Sequence, residues 1–282
     1  MTISPLSGIG KPYGISGSTS GVSKTGGISA PPDFVPPPVN MYEALFTSLG
    51  AKGLVLDGID SVKLVAAGGA VAGNGDPIGS YSDISGNGNN VLQATGGSKP
   101  VLSITNGVGA IADGTGKYLH ATLPSALACP EFDVTIVYYI PPSYTGDGLY
   151  PYVFDGDSYD YYVLAATGTV FVVDAANYAA TNSAPYSGMR ILHTTWKVDV
   201  IPGFDVSAAV YTPSGTTVDA NTTLNGSPAA DSTGTSLNIL FPITTNTAGA
   251  EIAFMMISDK AIIGADWTAV KADLIARFGA WK

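Results

Sequence analysis

Residues 132–140, FDVTIVYYI, alternate so strictly that Phe132, Val134, Ile136, Tyr138 and Ile140 fall on one side of an extended chain. A helix would scatter these five around its circumference, whereas a strand repeats every two residues and gathers them into one face. Other segments have the same character. Residues 162–174 hold two apolar runs around a glycine turn, and 205–220 repeat the device around Pro213-Ser214-Gly215. Residues 190–200 and 250–259 add further strand-like runs. Between about residues 54 and 258 no helical pattern intervenes, and about a dozen short strands divided by turn clusters mean a sandwich or a barrel.

Composition agrees. The chain has 282 residues, 45% hydrophobic and only 12% charged, which is enough for one large core and leaves a surface of Ser, Thr, Asn and Gly. Glu43, Glu131 and Glu251 are the only glutamates, and scarce Glu and Lys beside abundant Thr, Val and Tyr suit strands rather than helices. A net charge of −10 argues against nucleic acid, which needs clustered Lys and Arg. Cys129 is the single cysteine, so one chain can form neither an internal disulfide nor a thiolate metal cluster. In its context, ALACPEF, it reads as a small buried hydrophobe. The N-terminus lacks a basic stretch followed by an apolar run, so it does not read as a secretory signal. The most apolar stretch, 64–73, is too short and glycine-rich to span a bilayer, so no membrane insertion is expected.

The two ends differ from the middle. More than half of residues 1–40 are Gly, Ser or Pro, and Ile9, Ile15, Val22 and Ile28 recur along this string every six or seven positions. The segment 31–39, PPDFVPPPV, is a stiff polyproline-like spacer. One reading of residues 1–40 is a disordered linker. The other is an extended assembly arm whose four branched residues act as pegs on partner chains. Residues 41–53 then read as a short linking helix, with Asn40 as N-cap, Glu43 completing a capping box, Met41, Leu45 and Leu49 on one face, and Gly50 and Gly53 ending it. Residues 54–282 form the body. It closes with an amphipathic helix over 266–278, capped by Asp266, striped by Trp267, Val270, Leu274 and Phe278, stopped by Gly279 and expected on the rim of the sandwich.

Three segments in order carry a resemblance. YSDISGNGNNVLQATGGSKPVL (81–102) resembles the aromatic-x-Asp-x-Ser-Gly-Asn-Gly-Asn segment, ending in a basic-Pro pair, of concanavalin A-like (LamG-type) domains. GVGAIADGTGKYLHATLP (107–124) is similar to the strand, Asp-Gly and Tyr-Leu that follow it there, and 251–278 to the last strand and closing helix. Tyr81 stands where many members have Trp. The resemblance implies an all-β, antiparallel jelly-roll sandwich over about residues 54–279, with the arm outside it. Within it, the glycine- and asparagine-rich 81–90 segment is expected to be a structural corner between two strands. Asp83, Ser85, Asn87 and Asn89 also make it a weak oxygen cluster.

No serine-hydrolase elbow, zinc-protease helix, phosphate loop or dinucleotide fingerprint occurs. Glycosidases of this fold resemble one another in a Glu-x-Asp-x-x-Glu strand, because two carboxylates must flank the bond, and three widely separated glutamates cannot supply it. An Asp pair could still flank such a bond, but the expectation is a protein that is not an enzyme. The best candidate site is FDGDSYDYY (154–162), where Asp155, Asp157 and Asp160 interleave with Tyr159 and Tyr161. Such a loop would suit Ca²⁺ as a hard cation, with tyrosines for sugar rings. Its alternative is an acidic hairpin tip, and the spacing is not that of an EF-hand. No cofactor is expected otherwise. His120 and His193 read as satisfied strand histidines. Two sequons, at Asn221 and Asn225, matter only in a host that glycosylates.

Three function classes follow. Jelly-roll domains on chains with Gly/Ser-rich arms and no signal peptide look like bacteriophage virion components such as head fibres, decoration proteins or tail appendages. That implies virion proteins and sister subunits as partners of the arm, host-surface polysaccharide as a partner of the body, and assembly in the host cytoplasm. The second class is a carbohydrate-binding module acting alone, and the third a polysaccharide hydrolase or lyase.

Overall fold

The computed structural model describes residues 40–59, 64–66, 69–112, 116–123, 131–142, 152–155, 161–164, 169–174, 177–182, 187–198, 204–224, 235–239 and 249–282. The proposed arm, with Ile9, Ile15, Val22 and Ile28, lies outside the described residues, as does Cys129. One compact unit covers Val39–Lys282. Its elements begin with α1 (Met41–Leu49), β1 (Gly53–Asp57), β2 (Leu64–Ala66), β3 (Ile78–Tyr81), β4 (Val91–Leu92), β5 (Val101–Thr105) and β6 (Val108–Ala112). There follow β7 (Leu119–Thr122), β8 (Glu131–Ile140), β9 (Tyr152–Asp155), β10 (Tyr161–Leu164), β11 (Thr169–Asp174) and β12 (Asn177–Asn182). The chain ends with β13 (Gly188–Val198), β14 (Phe204–Tyr211), β15 (Thr217–Leu224), β16 (Ser236–Ile239), β17 (Glu251–Ser258) and α2 (Gly264–Phe278).

The strands form two sheets, and the pairings within them are antiparallel, as the alternation and turn spacing lead one to expect. An eight-stranded sheet runs β15-β14-β13-β8-β17-β6-β5, with β1 also pairing to β17. A nine-stranded sheet runs β12-β11-β10-β9-β16-β7-β4-β3-β2. The hairpins expected at 162–174 and 205–220 are β10–β11 and β14–β15. The protein is therefore an antiparallel β-sandwich.

Strand β8 shows why the alternation is so strict. Phe132, Val134, Ile136, Tyr138 and Ile140 all enter the core between the sheets, opposite Leu119, Ala121, Leu237 and Ile239 of the nine-stranded sheet. Each such side chain contributes roughly 1.5–3 kcal/mol by leaving water. The other side of β8 is buried too, because Val137 belongs to a second core with Tyr42, Leu45 and Phe46 of α1 and Val270, Leu274 and Phe278 of α2. The eight-stranded sheet thus has apolar matter on both faces.

This corrects four helix expectations. Helix α2 lies across the outer face of the eight-stranded sheet rather than on the rim, since its stripe packs on Ile191, Tyr211 and Met256. It also starts two residues early, at Gly264 after Ile263, so Asp266 sits in the first turn, where it faces the positive helix end without capping it. Helix α1 is capped by Asn40, whose Oδ1 accepts from the Tyr42 amide at 3.0 Å, and ends at left-handed Gly50. Its buried face is Tyr42, Leu45 and Phe46, with Met41 and Leu49 only partly buried. Gly53 belongs to β1 rather than to the helix end: at φ +128° a Cβ there would stand 1.9 Å from the Ile257 carbonyl oxygen.

A charged latch ties the helices to the sheet. The Tyr42 hydroxyl donates to Asp273 at 2.6 Å, and Arg277 pairs with Asp273 at 3.1 Å and with Asp57 of β1. Burial pushes the Tyr42 phenol well above its ordinary value of 10.0, and the hydrogen bond and charge of Asp273 push it further. Burial works against the Arg277 charge, but Asp57 and Asp273 outweigh it and hold its pKa above the usual value.

Candidate functional site

The 81–90 segment links β3 to β4, and its polar groups turn inward. Asp83 Oδ1 accepts from the amides of Val55 and Ser85, both at 2.8 Å. Its Oδ2 accepts from Ser85 Oγ at 2.8 Å and from the Asn89 amide at 2.9 Å. Asn89 Nδ2 donates to the Gly53 carbonyl at 2.6 Å and Asn87 Nδ2 to the same carbonyl at 3.1 Å. Gly86 and Gly88 supply the positive φ that lets the chain wind so tightly. Asp83, Ser85, Asn87 and Asn89 are thus engaged with the protein's own backbone and with one another, and the segment is the structural corner expected. Beside it lies a polar hollow of about 330 Å³, lined by Glu43, Thr47, Lys52, Ser85 and Asn87.

A second polar group was not foreseen. Asp133 is fully buried on β8, and its Oδ2 accepts from the Ile262 amide at 3.0 Å and pairs with His193 Nε2 at 2.8 Å. The His193 ring stacks on Trp267 of α2 with centroids 3.6 Å apart. His193 is a satisfied strand histidine, as expected, and its stacking partner Trp267 comes from the closing helix. The sequence signal was an aspartate at an outward position of a strand whose inward side is unbroken apolar and aromatic. Among the described residues, no three or more His, Cys, Asp or Glu side chains gather as metal ligands.

Both described helices pack on the eight-stranded sheet, so neither covers the outer face of the nine-stranded one. Along β7, Leu119 and Ala121 are buried in the core while Thr122 is exposed and His120 partly so, which identifies the outward positions. Cross-strand partners share a face. The register joins Leu92, His120, Asn238, Val153, Tyr161, Val173 and Tyr178 in one row of cross-strand partners, in which Leu92 is exposed and His120 partly so. A second row joins Thr122, Ser236 and Asp155. From β7 to β12 the first row spans five strand spacings, about 24 Å. Two of the candidate site residues, Asp155 and Tyr161, thus occupy neighbouring rows of one face, while Asp157, Tyr159 and Asp160 lie outside the described residues. His120, Asn238 and Tyr178 join this face through strand pairing alone, a relation that a linear sequence does not display.

Neither a family model nor a curated protein matches the sequence. Solved structures do match in fold. A GH54 α-L-arabinofuranosidase soaked with a cyclic sulfate inhibitor aligns with a TM-score of 0.56 at 12% identity, over 84% of this chain and 65% of that one. An arabinofuranosidase complexed with arabinofuranosyl-α-1,2-xylobiose gives 0.54 at 13%, over the same shares. A botulinum neurotoxin type C structure, described through its interaction with two ganglioside molecules, gives 0.51 at 9%, over 82% of this chain and 53% of that one. The chain spans less than two thirds of the length of these proteins, and the likeness is one of β-sandwich fold.

Proposed function

We propose that this chain is a bacteriophage virion structural protein, of head-fibre, decoration or tail-appendage type, whose concanavalin A-like sandwich binds host-surface glycans. The observation that carries the binding role is the outward row on the nine-stranded sheet. It sets tyrosine positions 161 and 178 in line with His120 and Asn238, an arrangement suited to rings that stack on aromatics and hydroxyls that hydrogen-bond to amides. Sandwiches of similar fold whose descriptions name sugar ligands support the reading. Binding without catalysis is favoured because Glu43, Glu131 and Glu251 sit on α1, β8 and β17, none of them on this sheet.

The virion role rests on the Gly/Ser/Pro string at 1–40, whose Ile9, Ile15, Val22 and Ile28 would seat on sister subunits or other virion proteins. Two measurements test the proposal. The full chain on an array of bacterial-surface glycans should retain at least one class, and Tyr161→Ala should weaken that binding about tenfold, the worth of one stacked ring. Mass spectrometry of purified particles should find the protein at fixed stoichiometry. Empty arrays would refute the binding role, and absence from particles the virion role.

A further inference from the structure

We infer that the glycan taken by the outer face of the nine-stranded sheet is uncharged, and that carboxylated sugars such as sialic or uronic acids are rejected there; the inference rests on the glycan-binding reading. Of the chain's twelve Lys and Arg, none falls within the nine strands of this sheet, which read LVA, IGSY, VL, LHAT, YVFD, YYVL, TVFVVD, NYAATN and SLNI. The eight-stranded sheet, by contrast, carries Arg190 and Lys197 on β13. Of the acidic residues in the nine strands, Asp155 shares the row of Thr122 and Ser236.

Of the cations that flank the strands, Lys63 precedes β2 and lies outside the described residues, Lys99 is buried, and Lys117 Nζ donates to the Gly97 carbonyl at 2.7 Å. An anionic sugar laid along the row would give up water around its carboxylate without meeting a counter-charge, and it would approach a chain of net charge −10. A neutral ring loses far less, because its hydroxyls can exchange water for the amide, imidazole and hydroxyl groups at Asn238, His120 and Thr122. The rejection is thus built from the absence of one residue type across a whole sheet.

The test uses the full chain at about pH 8, above the range in which an ordinary histidine carries charge. The probes are matched pairs of immobilised oligosaccharides, each neutral glucose-, galactose- or N-acetylglucosamine-containing chain beside the same chain capped with sialic or uronic acid. Neutral members should bind at least about tenfold more tightly than their capped partners. That binding should barely change between roughly 0.05 and 0.5 M salt, because no ion pair contributes. Leu92→Lys, at an exposed position of the row, should leave the thermal midpoint unchanged and narrow the gap between the partners by tightening the capped members. Equal or tighter binding of the capped members would overturn the inference and leave the glycan-binding reading standing. Failure of every probe to bind would overturn both.

Discussion

At the scale of single residues, Asp83 does the most with the fewest atoms. Its two oxygens hold four donors, and one of these is the amide of Val55, a residue fully buried at the centre of β1. Replacing Asp83 with Ala takes the partner from all four donors, the buried Val55 amide among them, which should cost roughly 3 kcal/mol. Asp83→Asn keeps one acceptor but turns an NH2 toward a donor, so about half that loss is expected. Urea midpoints of the two variants check the ranking, and an unchanged midpoint for Asp83→Ala would mean that the corner does not hold β1. The corner itself was readable because Asp, Ser, Asn and Gly bond locally. Its long-range partner was not, since Val55 lies 28 positions away.

Among elements, the latch between α1, α2 and β1 governs how the helices stay on the sheet. Arg277→Ala would strand Asp57, whose carboxylate is almost wholly buried, and should destabilise by roughly 3–5 kcal/mol. Tyr42→Phe removes one hydrogen bond to Asp273 and should cost only about 1–2 kcal/mol at neutral pH. Because the folded Tyr42 phenol is held above its unfolded value of 10.0, its stabilisation is complete below that pH. It is lost as the pH rises through about 10, where the unfolded chain releases its proton and the folded one does not. The thermal midpoint of the unaltered protein should therefore fall more steeply than that of Tyr42→Phe between about pH 9.5 and 11.5. Parallel slopes would show that Tyr42 ionises as freely in the fold as out of it.

For the whole molecule, the two cores divide the labour. One holds the sheets together, and the other fastens both helices to the eight-stranded sheet, so the described helices cover that sheet and not its partner. The described residues of both cores lie between Tyr42 and Trp281. Removal of residues 1–30 should then shift the thermal midpoint by no more than about 2 °C, less than a 1 kcal/mol change would produce in a domain of this size. The truncated protein should nevertheless fail to join its particle. Normal incorporation would make the first forty residues a mere linker and remove the main support for the virion role.

Periodicity is a local property, so the strands, the turns at Gly215 and around 81–90, the Asn40 cap and the all-β class could be read directly from residue order. The two-faced burial of β8 could not. Its inward residues declare themselves by alternation, whereas Asp133, Thr135 and Val137 are buried on the face where α1 and α2, both far away in sequence, pack. The candidate site follows the same logic. Asp155 and Tyr161 stood out as an acidic, tyrosine-rich run, but their alignment with Thr122, Ser236, His120 and Asn238 depends on which strands pair and in what register. Sequence determined what each strand would bury, because burial follows the pattern along one chain. Only the tertiary structure decided what each face would meet, because hydrogen bonding between strands joins residues that no local pattern relates.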